Sequence, residues 1–331
     1  MTAVLPRIRD LLDGVEDLEP MPDAPGTSGA RLRRGFRDGH PVVVKEIDGA
    51  HDWTQHASGV LAGPIVPLWG RGLLDRLPGC LHQPVIGVAT EGGGGRRRTA
   101  VRMHDVSEWL IPAVETAIPL SVHQLQLAHL ATMHATLWAP GAEFEVVPAM
   151  HRYLELSPWT AMAEAAIGSR HVVPPLIERG WRLLPQVAPV AAAVAGPLAL
   201  DPGPLVLALA ETPQSFVHGN WKLDNLGVDD AGRSVVLDWE MPGIGAPCAD
   251  LAWYLAINCR RLPQSKEAAI GDYRSALEAA GVDTGGWWER QLGLALLGAL
   301  VQFGWEKALG GYDDELAWWE DRARVGARFL T

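Results

Sequence analysis

An α+β fold of two unequal lobes is predicted by three features of the 331-residue sequence. Strand-like runs separated by tight-turn signals are confined to about the first hundred residues. Helical periodicity dominates from Val122 onward. Only two short apolar β-like runs, Phe216–Val217 and Ser234–Leu237, interrupt it. Strands followed by helices, rather than an alternation of the two, argue for segregated layers. Residues 1–104 are expected to form a small antiparallel β lobe and residues 105–331 a larger, mainly helical lobe.

Taken in order, Ile8–Leu18 reads as a short acidic helix ended by Pro20 and Pro22. Arg31–Phe36 and Val42–Ile47 read as two strands joined at Asp38-Gly39, a strong hairpin signal. Residues 51–82 are rich in Gly and Pro and read as irregular. Pro84–Ala89 and Arg97–Met103 form a second strand pair around the turn Glu91–Gly95. Val122–Trp138 is helical by its apolar spacing. A mainly helical region continues to about residue 212, and the segment from Asp250 to the end is helical again.

Composition narrows the function classes. Hydrophobic residues make up 48% and charged residues 20%, enough for a sizeable core. The net charge of −11 opposes non-specific nucleic-acid binding, which needs cations on phosphates. The same excess fits a cationic small-molecule partner, and it fits plain solubility equally well. Cys80, Cys248 and Cys259 form no C-x-x-C pair, which argues against a disulfide framework and a zinc site. No secretory signal is evident at the start. The apolar stretch Val187–Ala210 is broken by prolines, glycine and Asp201, so no membrane partner is expected. A reducing cytoplasm is the expected compartment.

The densest chemistry lies in Ser215–Tyr254, where a polar loop joins two short β-like runs and Asp238 leaves the second. Phosphoryl transfer uses such an arrangement: one group orients the acceptor hydroxyl, an amide and a carboxylate hold magnesium, and a distant Lys steadies the nucleotide. The run His218-Gly219-Asn220, followed by Asn225, Asp238 and Asp250-Leu251-Ala252, resembles the signature of the aminoglycoside phosphotransferase and choline kinase family, small-molecule relatives of protein kinases. The resemblance covers roughly residues 25–330. It implies a protein-kinase-like bilobal fold, transfer of the γ-phosphoryl group of ATP or GTP to a hydroxyl, and Mg2+ as cofactor. Aminoglycoside-like or other antibiotics and amino sugars are the implied acceptors.

Carried over residue by residue, the resemblance makes Asn225 and Asp238 magnesium ligands, as hard oxygen donors suit. Lys222 matches a Lys that contacts the transferring group, or is a solvated loop Lys. Asp250 matches a carboxylate bracing the loop, and His218 a residue orienting it. The position of the family's catalytic Asp is held by Asn220. An amide accepts hydrogen bonds but takes no proton near neutral pH. This form is therefore expected to be impaired, and a nucleotide-binding pseudokinase with a sensing or scaffolding role is the alternative.

In the N-terminal lobe, Lys45 closing the run Val42-Val43-Val44 resembles the strand Lys that pairs with phosphates. Gly26, Ser28 and Gly29 would form the loop over the phosphates, or an ordinary turn. Met103, His104 and Asp105 stand where the family's hinge offers backbone groups to adenine. Residues 51–62 offer His51, Asp52 and Gln55 but no Glu to pair with Lys45. For the acceptor, residues 287–321 hold seven acids against two bases, with tryptophans among them. Trp305, Glu306, Asp313, Asp314 and Trp318 are thus candidates for a cationic acceptor, or a solvated helical face with buried Trp. Glu240, two residues after Asp238, is a further candidate at the cleft. The spacing of His123, His129 and His134 fits no zinc motif. Asp238-Trp239-Glu240 in place of D-F-G argues against a protein kinase.

Overall fold

The structure is a computed structural model that describes residues 3–21, 29–93 and 96–330. It is an α+β fold of two lobes. The first is an antiparallel sheet of five strands: β1 (Val15–Pro20), β2 (Arg31–Arg37), β3 (His40–Asp48), β5 (Val85–Glu91) and β6 (Arg98–His104), in the order β1-β2-β3-β6-β5. A two-residue strand, β4 (Leu81–His82), precedes β5 and pairs elsewhere.

The Asp38-Gly39 hairpin forms as expected. Arg37 faces His40 across it, and both turn residues have positive φ, 52° and 76°. This is the backbone a two-residue turn needs to match the twist of its strands. β3 is the central strand. Its residues Val42, Val43 and Val44 are buried, and Lys45 continues the same strand opposite Val101 of β6.

Two expectations fail in this lobe. Ile8–Leu18 is not one helix: the helix stops at Leu12, Gly14 takes φ 70°, and Val15–Pro20 becomes β1, pairing with β2. A glycine in the left-handed region ends the helix, and the open edge of β2 captures the chain beyond it. Residues 51–82 are not irregular throughout, since helices span Trp53–Ser58 and Ile65–Gly70. Asp52 caps the first through the backbone N–H groups of Thr54 and Gln55. Both helices are only six residues long and bounded by Gly or Pro, too short to print a period.

The second lobe is helical, built around the helix Trp288–Leu309, which is mostly buried even though it is long and apolar enough to cross a membrane. The helix Leu120–Thr136 directs His123, Gln126, Leu127, Leu130, Met133 and His134 inward. Short strands carry the loops between the lobes. β7 (Ser215–Val217) pairs with β10 (Gly243–Gly245), while β9 (Ser234–Val236) lies between β8 (Leu226–Val228) and β4. β4 precedes the five-stranded sheet's β5, so the sheet containing β9 ties the two parts of the chain together.

Candidate active site

A cleft of about 1980 Å3 opens between the sheet and the loops around β7, β8 and β9. Its walls include Lys45, Met103, His104 and Asp105 from the first lobe, and Lys222, Asn225, Asp238 and Glu240 from the second. Residues almost two hundred positions apart thus meet. The Lys45 ammonium donates to Asp238 Oδ1 and lies 3.2 Å from Glu240 Oε1.

The loop after β7 is held by buried polar contacts. Gly219 has φ 74°, and a Cβ there would lie 2.1 Å from the Met241 carbonyl oxygen. Only glycine lets the chain turn this close to β10. Beneath the turn, the Asp250 carboxylate accepts the backbone N–H groups of His218 (2.7 Å) and Gly219 (2.8 Å). His134 Nε2 lies 3.3 Å from the same carboxylate, and the Tyr273 hydroxyl is 2.7 Å from His134 Nδ1. Burial opposes the charge on Asp250, but these donors outweigh it and hold its pKa below the ordinary value.

His218 cannot act on a substrate here. Its Nε2 donates to the Leu237 carbonyl at 3.1 Å, and its Nδ1 accepts the Asn220 N–H at 3.1 Å. The ring is neutral by this pattern, and burial lowers its pKa to about 4. It fixes the loop to the strand that delivers Asp238. Asn225 makes a second tie: its Nδ2 donates to the Asn220 carbonyl at 3.1 Å, and its own carbonyl accepts the Leu237 N–H at 2.9 Å. With Nδ2 committed to the loop, the free end of the Asn225 amide is the oxygen Oδ1.

Asp238 has φ 65°, a left-handed backbone costly for a residue with a Cβ. Such strain persists where the surroundings impose it. Burial penalises its charge, yet attraction to Lys45 and Lys222 together with the Lys45 hydrogen bond depresses its pKa, so it stays ionised. Glu240 behaves oppositely: burial and the neighbouring Asp238 charge raise it to about 7 against the pull of Lys45. Among the described residues no three His, Cys, Asp or Glu side chains converge as a metal cage. The oxygens of Asn225 and Asp238 nonetheless fit Mg2+, which takes one or two protein oxygens and completes its shell with phosphates and water.

Among the described residues Lys45 pairs with Asp238 and Glu240, and the helix Trp53–Ser58 carries Gln55 where a Glu could have stood. Burial opposes the Lys45 charge, but Asp238 and then Glu240 outweigh it and raise its pKa, with a smaller pull from Asp52, 2% exposed at the cap of the Trp53–Ser58 helix. Gln55 lines the cleft from the same helix with its Oε1 unpaired.

Other expected positions stand differently. Ser28 and Gly26 lie outside the described residues. Gly29, at φ 92°, abuts His171 of the second lobe and is not part of the cleft wall. Met103, His104 and Asp105 line the cleft; the backbone N–H groups of His104 and Asp105 donate to the carbonyls of Pro84 (3.0 Å) and Pro41 (3.1 Å), so these two donors are already engaged. The five acceptor candidates near the C-terminus are not brought to the cleft. Trp305 is buried with its backbone against Gly180, Glu306 pairs with Lys307, and Asp313 caps the helix Asp314–Ala327 through Leu316 N–H. Asp314 is exposed in the first turn of that helix, and the Trp318 indole donates to Glu267. Capping and ion pairing use the same acidic and aromatic residues that acceptor binding would. Glu240 alone of that group lines the cleft.

The profile of the phosphotransferase enzyme family matches residues 36–286, which spans Lys45, the His218–Asn225 loop and Asp238. The chain belongs to the phosphotransferase enzyme family. A solved kinase structure shares its fold. The chain is similar to the microcompartment-associated aminopropanol kinase at 12% identity and a TM-score of 0.51, covering 96% of this chain and 94% of that one. It is also similar to a thermostable mutant of the aminoglycoside phosphotransferase APH(4)-Ia in its apo form (15% identity, TM-score 0.49, 97% and 98% covered). Choline kinase LicA from Streptococcus pneumoniae stands at 13% identity and TM-score 0.45, with 97% of each chain covered. At 12% identity the likeness to the aminopropanol kinase is one of fold. No curated protein matches the chain.

Proposed function

We propose that this member of the phosphotransferase family moves the γ-phosphoryl group of ATP or GTP to a hydroxyl of a small molecule, a compound bearing amino groups such as an aminoglycoside or amino sugar. The observation that carries the reading is the meeting of Lys45 with Asp238 and Glu240 across the cleft, with Asn225 fixed beside them through the Asn220 carbonyl. Membership of the family supports the class of reaction.

In this reading Lys45 leaves its two carboxylates to bind nucleotide phosphates. Asp238 and the Asn225 oxygen hold Mg2+, which supplies charge neutralisation for the phosphates. Lys222, which lines the cleft and makes no ion pair among the described residues, lies beside the transferring group. Asp250, His134 and His218 keep the loop rigid, so that phosphoryl transfer proceeds by positioning and electrostatics. Asn220 orients the acceptor hydroxyl through its amide oxygen but takes no proton from it. Glu240 at the wall supplies a carboxylate for an acceptor ammonium.

The amide at position 220 specifically favours one second reading, a nucleotide-binding protein without turnover. Nucleotide consumption by the Asn220→Asp protein, measured against a panel of aminoglycosides, amino sugars and nucleosides, separates the two. Stimulation by an acceptor supports the enzyme, and MgATP binding without any stimulation supports the second reading.

A further inference from the structure

The helix Trp53–Ser58 presents an unused acceptor to the cleft. Gln55 is 1% exposed, lines the cleft, and leaves Oε1 without a hydrogen-bond partner. Its amide is held one way round. Nε2 donates to Thr54 Oγ1 at 3.5 Å, and that hydroxyl in turn donates to Asp52 Oδ1 at 2.6 Å. The oxygen is thereby turned toward Gly63. A Cβ on Gly63 would lie 3.4 Å from Gln55 Oε1 and 3.7 Å from both Ile47 Cδ1 and Ile65 Cγ2. The missing side chain keeps the approach to Oε1 clear. A buried acceptor with no partner is destabilising, so this place calls for a donor.

The register of β3 on β6 locates this end of the cleft. Val43 stands opposite Met103, Lys45 opposite Val101, and Ile47 opposite Thr99. Side chains two apart share a face of a strand, so Val43, Lys45 and Ile47 run in a row along the cleft wall. Met103 marks one end of the row, Ile47 and Gly63 the other, with Lys45 between them. A nucleotide that reaches from Met103 to Lys45 leaves the Ile47 end open. Ile47, Gln55, Gly63, Pro64 and Ile65 all line the cleft, and none is charged. Lys45, the cation of the row, is held by Asp238 and Glu240. Apolar walls with one placed acceptor suit an uncharged ligand.

We propose that this end of the cleft binds a small uncharged molecule, an apolar body with a single O–H or N–H donor placed on Gln55 Oε1, beside the nucleotide rather than in its place. The body packs on Ile47, Pro64 and Ile65, and the donor supplies the hydrogen bond that the wall lacks. A ligand of the same shape with only an ether oxygen gains the packing but leaves Oε1 unpaired. A carboxylate is rejected, because its charge would meet the Gln55 oxygen and apolar walls. Such binding needs no phosphoryl transfer, and only its place beside the nucleotide draws on the reading above.

The probes are phenol, which carries the donor, and anisole, which keeps the ring without it. Each is titrated against the full chain by ligand-observed NMR, with and without MgATP. Phenol should bind about tenfold more tightly than anisole, the ratio that pairing one buried acceptor supplies. Its affinity should change by less than about twofold when MgATP is present, as for two uncoupled sites. Gln55→Leu removes the unpaired acceptor and should abolish the preference for phenol. In the unsubstituted chain carrying methyl-labelled isoleucine, the Ile47 and Ile65 resonances should shift on adding phenol. Four results would overturn the proposal: no binding of phenol, equal binding of the two probes, a preference unaltered in Gln55→Leu, or displacement of phenol by MgATP. Should Gln55→Leu fail to fold, the unsubstituted chain decides alone, and Ile47 and Ile65 methyls unmoved by phenol contradict the site. Binding is read without turnover, so a chain that transfers no phosphoryl group still gives a decisive answer.

Discussion

Replacing Asp250 by Asn probes the brace under the candidate catalytic loop. The side chain keeps its size, but only one of its two terminal atoms remains an acceptor. Oδ1 and Oδ2 each accept one backbone N–H, at 2.8 and 2.7 Å, so one of His218 N–H and Gly219 N–H must face an amide NH2. A hydrogen bond to a charged group contributes about 1.5–3 kcal/mol, and a buried donor left unpaired costs about 1–3 kcal/mol. Partial relaxation brings the net loss to about 3 kcal/mol. Unfolding entropy of roughly 2 cal/mol/K per residue makes that about 4 °C in melting temperature for a chain of this length. Turnover should fall more than about tenfold, because Asn220 and Asn225 are positioned through the same turn. Scanning calorimetry and nucleotide-consumption assays read the two effects. A melting temperature within about 1 °C of the original, with turnover intact, would refute the idea that this carboxylate sets the loop.

Gly219→Ala should cost about 2–5 kcal/mol and turnover, since its Cβ would lie 2.1 Å from the Met241 carbonyl oxygen and φ is 74°; denaturant unfolding checks it. Asn220→Asp should raise turnover by ~10²–10⁴, and equal rates would remove position 220 from proton transfer. Asp238→Asn should abolish the magnesium dependence of nucleotide binding in a calorimetric titration, because the ionised oxygen is lost. For Glu155, whose folded pKa of about 8 exceeds the ordinary value of 4.5, the folded state binds the extra proton. Stability should therefore fall as pH rises from about 4.5 to 8, and Glu155→Gln should flatten that slope in urea melts at several pH values.

The parts visible in the sequence are those whose chemistry is local. His218, Asn225 and Asp238 lie within twenty-one positions, and the Asp38-Gly39 turn carries its own backbone requirement. The parts that stay hidden depend on packing. β1 is one, because its residues only become a strand once Gly14 ends the preceding helix and β2 offers an edge. Gln55 lines the cleft from the Trp53–Ser58 helix, whose packing against Ala149–Leu154 has no signal along the chain. His134 reads as a packing residue along its helix, and only the fold sets Asp250 against it. The acidic, Trp-rich C-terminal helices mislead because capping Asp and ion-paired Glu have the composition of a cation site. Asp313 and Glu306 serve these two structural roles.

Phosphorus NMR of MgATP incubated with the Asn220→Asp protein and each acceptor of the panel tests phosphoryl transfer at this cleft most directly. If Lys45, Asn225 and Asp238 form the transfer site, the γ-phosphate signal is lost and a matching phosphate monoester appears on one acceptor. Both changes should be abolished by Lys45→Ala and by Asp238→Asn. MgATP that remains intact with every acceptor, or a monoester that still forms when position 238 carries the amide, would contradict that assignment.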